Sequence, residues 1–293
     1  MQIMRTIKPR LESLKESIYL LKRNRLTKYS YYGVIFLIII AVIIPVLLPA
    51  AKNIDQDANP KYQLLAPSLQ HPFGTDELGR DILKRVLLGA NISLKTALVA
   101  VGLALLIGIP LGAIAGYFGG FLDELIMRVT DIFLGFPPLL LAIAISSFLG
   151  PSLGNAMLSI ALSWWPWYTR IVRGQAVSMK ERQFVKAAKA IGTPPGMIIT
   201  RHIIPNCIAP IIVQTSMDIG GVILTISSLS FLGLGAQPPT PEWGLMVSTS
   251  RNYFLSGWWY SIFPGLAIFF TVLAFNLLGD GLREILDPKT RGN

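Results

Sequence analysis

QFVKAAKAIGTPPGMIITRHIIPN, residues 183–206, interrupts a very apolar chain. It carries Lys186, Lys189, Arg201 and His202 and no acid, and Gly192, Pro194, Pro195, Gly196 and Pro205 punctuate it. On both sides the sequence consists of long apolar runs. Only 14% of the 293 residues are charged and 52% are hydrophobic, where soluble domains run near ~25% charged. Runs of about 20 residues without charge cross a bilayer core as helices. The stretch therefore reads as a basic loop between membrane helices.

Working outward, the charge-free runs predict six crossings. The first is placed at about residues 32–48, bordered by Tyr29, Tyr31 and Tyr32 as interface anchors. The second runs to about residue 116 from 96, and the third and fourth cover about 125–149 and 155–174, split by the turn formers of residues 150–155. The fifth and sixth cover about 207–232 and 258–279. The N-terminal 28 residues hold eight Lys or Arg against Glu12 and Glu16, with Leu11, Leu14, Ile18 and Leu21 at helical spacing. That pattern predicts an amphipathic helix on the cytoplasmic headgroups. A cleaved signal peptide ending near Pro49-Ala50-Ala51 fits less well, because both the basic region and the apolar run are too long.

A cytoplasmic start and six crossings put both termini and residues 175–206 in the cytoplasm. Charge gives the same orientation independently. Arg170, Arg173, Lys180, Arg182, Lys186, Lys189 and Arg201 face Glu181 alone, while the segment 236–257 carries only Glu242 and Arg251. The expected organisation is a cytoplasmic segment 1–28, a first transmembrane helix 29–50 and an extracytoplasmic segment 51–85. A core of five transmembrane helices follows at 86–282, with a cytoplasmic loop at 178–206 and a tail at 283–293. The net charge of +10 belongs to these loops and argues against nucleic acid as a partner.

The loop has a shape as well as a charge. Ala187, Ala188 and Ala190 predict a short helix that Gly192 ends, since glycine suits a left-handed cap. Thr193 is expected to cap the next helix and Pro194 to open it. The result is an elbow suited to docking.

Other chemistries find little support. There is no phosphate loop, no serine nucleophile elbow and no His-Glu-x-x-His in the sequence. One cysteine, Cys207, makes no intrachain disulfide and reads as a small buried side chain. His71 and His202 stand far apart, without metal-ligand spacing. Asp218 is the clearest ionisable group inside a span, with Asp131 and Asp280 near span ends. It is a candidate pathway residue. A secondary transporter usually needs several such carboxylates, and a channel or membrane enzyme shows no distinguishing cluster here.

Ala187, Ala188, Gly192, Ile204 and Pro205 have the spacing of the EAA motif of ABC importer permeases. HPFGTDELGRDIL (71–83), RVLLGANISL (85–94), GYFGG (116–120), RHIIPN (201–206), SLSFLGLGAQPPTPEWG (228–244) and FPGLAIFFTVLAFNLLGDGLREILDP (263–288) also match. From residue 30 onward the chain resembles the C-type (DppC/OppC-like) permease subunit of the dipeptide/oligopeptide/nickel ABC importer family. The resemblance implies an all-α type I importer fold in the prokaryotic plasma (inner) membrane. It implies a homologous B-type permease, one or two ATP-binding cassette subunits and an extracytoplasmic substrate-binding protein as partners. No cofactor would be bound by this chain; ATP and Mg would be used by the ATPase subunits. Lys186, Ala187, Ala188, Gly192, Ile204 and Pro205 would form the ATPase-coupling segment. Cargo would be di- or oligopeptides, or alternatively nickel chelates, glutathione or oligosaccharides. Lys186 departs from the family pattern, which has Glu there. Glu181 could supply the compensating carboxylate, or the partner could carry an acid.

Overall fold

The computed structural model describes residues 25–47 and 58–286. The expected amphipathic helix of residues 1–24, the stretch around Pro49-Ala50-Ala51 and the tail beyond Leu286, including Lys289 and Arg291, lie outside the described residues.

The chain is almost entirely helical. Helix α1 (Arg25–Leu47) buries Val34 and Ala41 and leaves Phe36, Val42 and Val46 exposed, as expected of a helix with lipid on most sides. Helix α2 (Ile82–Phe118) starts at Asp81, whose side chain accepts from the Lys84 amide at 3.0 Å. Its 37 residues span about 55 Å, well beyond a hydrocarbon core of about 30 Å. The predicted second crossing is thus the C-terminal part of a longer rod. Gly119 and Gly120, both at positive φ, turn the chain into α3 (Gly120–Leu134).

The third predicted crossing, 125–149, is not one continuous helix. α3 ends at Gly135, and α4 (Pro138–Leu149) leaves at an 88° bend. Pro137 and Pro138 disfavour helical geometry in the residues before them, so the break has a local cause. Gly150, at φ +88°, then closes α4, and Ser152 caps α5 (Leu153–Lys180) by accepting from the Asn155 amide at 3.0 Å. After the short α6 (Gln183–Ala190) the chain enters α7 (Pro195–Phe231), which begins twelve residues before the predicted fifth crossing. Helices α8 (Trp243–Ser250) and α9 (Trp258–Leu286) complete the fold.

Four helices (α1, α2, α7 and α9) are long and apolar enough to cross a membrane, and the bent α3–α4 pair makes five if it is one span. A sixth crossing requires α5, which is 28 residues long but more polar.

The packing centres on α2 and α5. Gly108, Gly112 and Gly116 recur every four residues along α2, and an added Cβ at each would lie under 3 Å from α5 atoms such as Trp165 O, Thr169 O and Arg173 O. Small residues at that spacing let two helix backbones touch. At the far end, residues 58–81 fold over the start of α2. Asp76, wholly buried, accepts from the Leu78 and Arg80 amides at 2.9 Å and from Arg80 Nε at 2.6 Å, with Arg85 beyond. Trp259 Nε1 donates to Thr75 O, Trp243 Nε1 donates to Val86 O at 2.9 Å, and Phe73 stacks on Phe263. Parts of both segments placed outside by the predicted crossings, 51–85 and 236–257, are therefore packed against the ends of the long helices. This cap sits at the start of α2, and the elbow lies past its other end.

Candidate functional site: an elbow rooted in three helices

Residues 178–206 form the expected elbow. α6 turns Val185 and Ala188, one helical turn apart, into a second apolar core. That core contains Ala113 of α2, Val172 and Ala176 of α5, and Ile198, Ile199, Ile203 and Cys207 of α7. Cys207 is buried as expected. The elbow is thus seated on three long helices at once.

Gly192 ends α6 at φ +79°, with Thr193 N donating to Ala188 O and Gly192 N to Lys189 O, both at 3.1 Å. This pair of bonds is the Schellman closure. Thr193 does not cap the next helix: that helix starts one residue later than predicted, with Pro194 at the N-cap position and Pro195 in the first turn. Within α7, Ile199–Ile203 form a wide π turn. Ile204 is half-buried on the same core, and Pro205 follows, exposed. The Phe184 ring lies 6.1 Å from His202, joining α6 to the π turn.

Ala188 therefore faces the core, while Lys186 and Ala187 face outward. Lys186 Nζ lies 3.0 Å from Glu181 Oε2. The Lys186 ammonium, by hydrogen bond and by charge, holds the Glu181 carboxyl below its usual range, with smaller help from Lys180 and Lys189. Of the two compensating acids weighed from the sequence, the one within the chain is in place.

Two further ion pairs brace the approach to the elbow. Arg173 grips Asp123 through two nitrogens, at 3.0 and 2.6 Å, and Arg170 pairs with Asp131 at 2.6 Å. Both join α5 to α3. The basic residues Arg170 and Arg173 were visible in the sequence, but their partners on α3 were not, because nothing local announces a contact across about 40–50 positions.

Asp218 lies apart from the elbow, on the α7 face toward α5. Gln214 Nε2 donates to Asp218 Oδ1 at 2.9 Å. The Tyr168 hydroxyl lies close enough to interact with Asp218, and Thr215 lies close to that same hydroxyl, though neither contact has aligned hydrogen-bonding geometry. Gln214 also lines an open cavity of about 390 Å³, together with Ile171, Val213, Met217 and Arg283. Among the described residues no group of three or more His, Cys, Asp or Glu could hold a metal ion.

An all-helical bundle with a polar cap at one end and a rooted elbow at the other defines a class. Residues 108–292 match the family described as the binding-protein-dependent transport system inner membrane component, and the chain belongs to that family. It is a multi-pass membrane transport subunit. Among its relatives is the dipeptide transport system permease protein DppC of Alkalihalophilus pseudofirmus, 47% identical over 94% of this chain and 90% of the relative. The probable D,D-dipeptide transport system permease protein DdpC of Escherichia coli K12 is 46% identical over 94% and 91%. The glutathione transport system permease protein GsiD of Escherichia coli is 45% identical over 92% and 89%. Inward-facing structures of the MetNI methionine ABC transporter share the fold at a TM-score of 0.56 and 15% identity, covering 70% of this chain and 97% of theirs.

Proposed function

We propose that this chain is one half of the translocation pathway of an ATP-driven peptide importer in a prokaryotic inner membrane. The observation that carries the reading is the elbow. It is an exposed basic helix whose buried side is shared by α2, α5 and α7, so force applied to it reaches three helices together. A homologous B-type permease supplies the other half. One or two ATP-binding subunits, which use ATP and Mg, receive the elbow. A binding protein delivers cargo on the opposite face, over the cap. Nucleotide-driven closure of the ATPases brings the two elbows together and switches the pathway between its openings, a rigid-body change biased by binding elsewhere.

Di- and oligopeptides are the preferred cargo, because the relatives named above carry dipeptide and glutathione in their names. Both termini and the elbow lie in the cytoplasm, in accord with the excess of Lys and Arg there, and α5 supplies the sixth crossing within the permease core. The test is purification from membranes in mild detergent followed by mass spectrometry. Recovery of a second permease with ATP-binding subunits supports the reading. Recovery of the chain alone, as a homodimer, contradicts it.

A further inference from the structure

The elbow's surface specifies the groove that receives it. Val185 and Ala188 are committed to the core. At about 3.6 residues per turn, Phe184, Ala187 and Ile191 fall on one flank of the remaining surface of α6. Lys186 and Lys189 fall on the other, with Arg182 at the N-cap beside them. All six are exposed, Ile191 to 83%. Glu181, the one acid of the segment, is engaged with Lys186, and Arg182 and Lys189 make no ion pair among the described residues.

A lipid surface is the rival partner for a basic, partly apolar helix. Two observations favour a protein. α6 is eight residues long, about 12 Å, and one apolar side of it, Val185 and Ala188, already faces its own protein. Its cations also lie along one flank rather than on both sides of the apolar stripe, as a helix lying flat on headgroups would place them.

We infer that the groove on the ATP-binding subunit has two unlike walls: an apolar one against Phe184, Ala187 and Ile191, and an acidic one whose carboxylates meet Arg182, Lys186 and Lys189. This rests on the reading of the elbow as the ATPase contact. Lys186 is then a partner-selecting residue. A groove that presents cations to this flank is rejected by like-charge repulsion, and specificity follows from that repulsion as much as from attraction.

The test uses the whole transporter in membranes. A carbodiimide joins lysine to carboxylate without a spacer, and mass spectrometry identifies the joined peptides. In parallel, Ile191→Cys carries a thiol-linked photocrosslinker, with the native Cys207 buried. The expected result is Lys186 or Lys189 joined to an Asp or Glu of the ATPase subunit, and residue 191 joined to the same subunit. Lys186→Glu with Lys189→Glu then lowers the ATPase recovered with the permease about tenfold, and a Lys at the joined carboxylate restores it. If residue 191 reaches the ATPase while Lys186 couples only to Glu181, the acidic wall is refuted and the docking stands. If residue 191 reaches only lipid, docking and inference fail together.

Discussion

Gly192 shows what one residue contributes to the elbow. Its φ of +79° is a left-handed conformation, and a Cβ there would meet nothing within 4 Å. Gly192→Ala therefore costs backbone strain without a clash, about 1–2 kcal/mol. The expected outcome is faster hydrogen exchange across 183–198 and reduced uptake, with the long helices unchanged. Ala188→Glu is expected to do more, since it forces a carboxylate into the apolar seat formed with Val172, Ile199 and Ile203. The elbow should then become protease-sensitive in membranes. The Lys186–Glu181 pair has a definite pH signature. Its folded carboxyl value is depressed, so its contribution is present above the usual carboxylate value and lost as pH falls through the lower folded one. Coupling should accordingly show no titration of the Glu181 carboxyl between about pH 6 and 8, which a pH series of ATP hydrolysis checks. For Asp218 the expected effect of Asn is slower uptake by a complex of normal composition. Normal uptake would remove Asp218 from the pathway. The sequence pointed to these positions through residue type, but it did not show that Tyr168 lies against Asp218, because that contact crosses between α5 and α7.

Among the elements, α2 and α5 set the frame. Gly112→Leu inserts a side chain where even a Cβ would meet Thr169 O at 2.5 Å. Overpacking of this kind costs about 1–3 kcal/mol, and here it separates two backbones. The variant should lower the thermal midpoint of the purified protein, read by tryptophan fluorescence, far more than a leucine at Gly102, which faces open space. Gly108, Gly112 and Gly116 do not stand out in the sequence, because the apolar run around them carries the stronger signal and hides their spacing. The α3–α4 bend is hidden in the same way. Gly135-Phe136-Pro137-Pro138 is a breaker, but absence of charge between Asp131 and Arg170 suggested continuous crossings. Hydropathy reports whether a segment tolerates lipid and says little about its direction. Helix caps fared better where the signal was local: Gly192 closes α6. Thr193 failed as a cap because it belongs to the Schellman closure of α6 and the next helix starts one residue later, with Pro194 at its N-cap, a boundary that residue preference does not register.

At the scale of the molecule, the polar cap and the elbow lie toward opposite ends of α2, a helix of 37 residues and about 55 Å, with apolar helices between. The membrane class and the elbow were evident from charge and apolar runs alone. The buried Asp76–Arg80–Arg85 group was not, because mixed charge in a segment reads as a solvated surface until the fold encloses it. The arrangement makes an energetic claim: work done at the elbow is transmitted along α2, α5 and α7 to the far face. Uptake should therefore depend on ATP hydrolysis by a partner and not on an ion gradient across this chain. The direct measurement is uptake of a labelled dipeptide into proteoliposomes containing the purified complex and its binding protein. The account expects uptake with ATP supplied on the elbow side, none with a non-hydrolysable analogue, and no dependence on an imposed proton or sodium gradient. Uptake driven by such a gradient without ATP would contradict it.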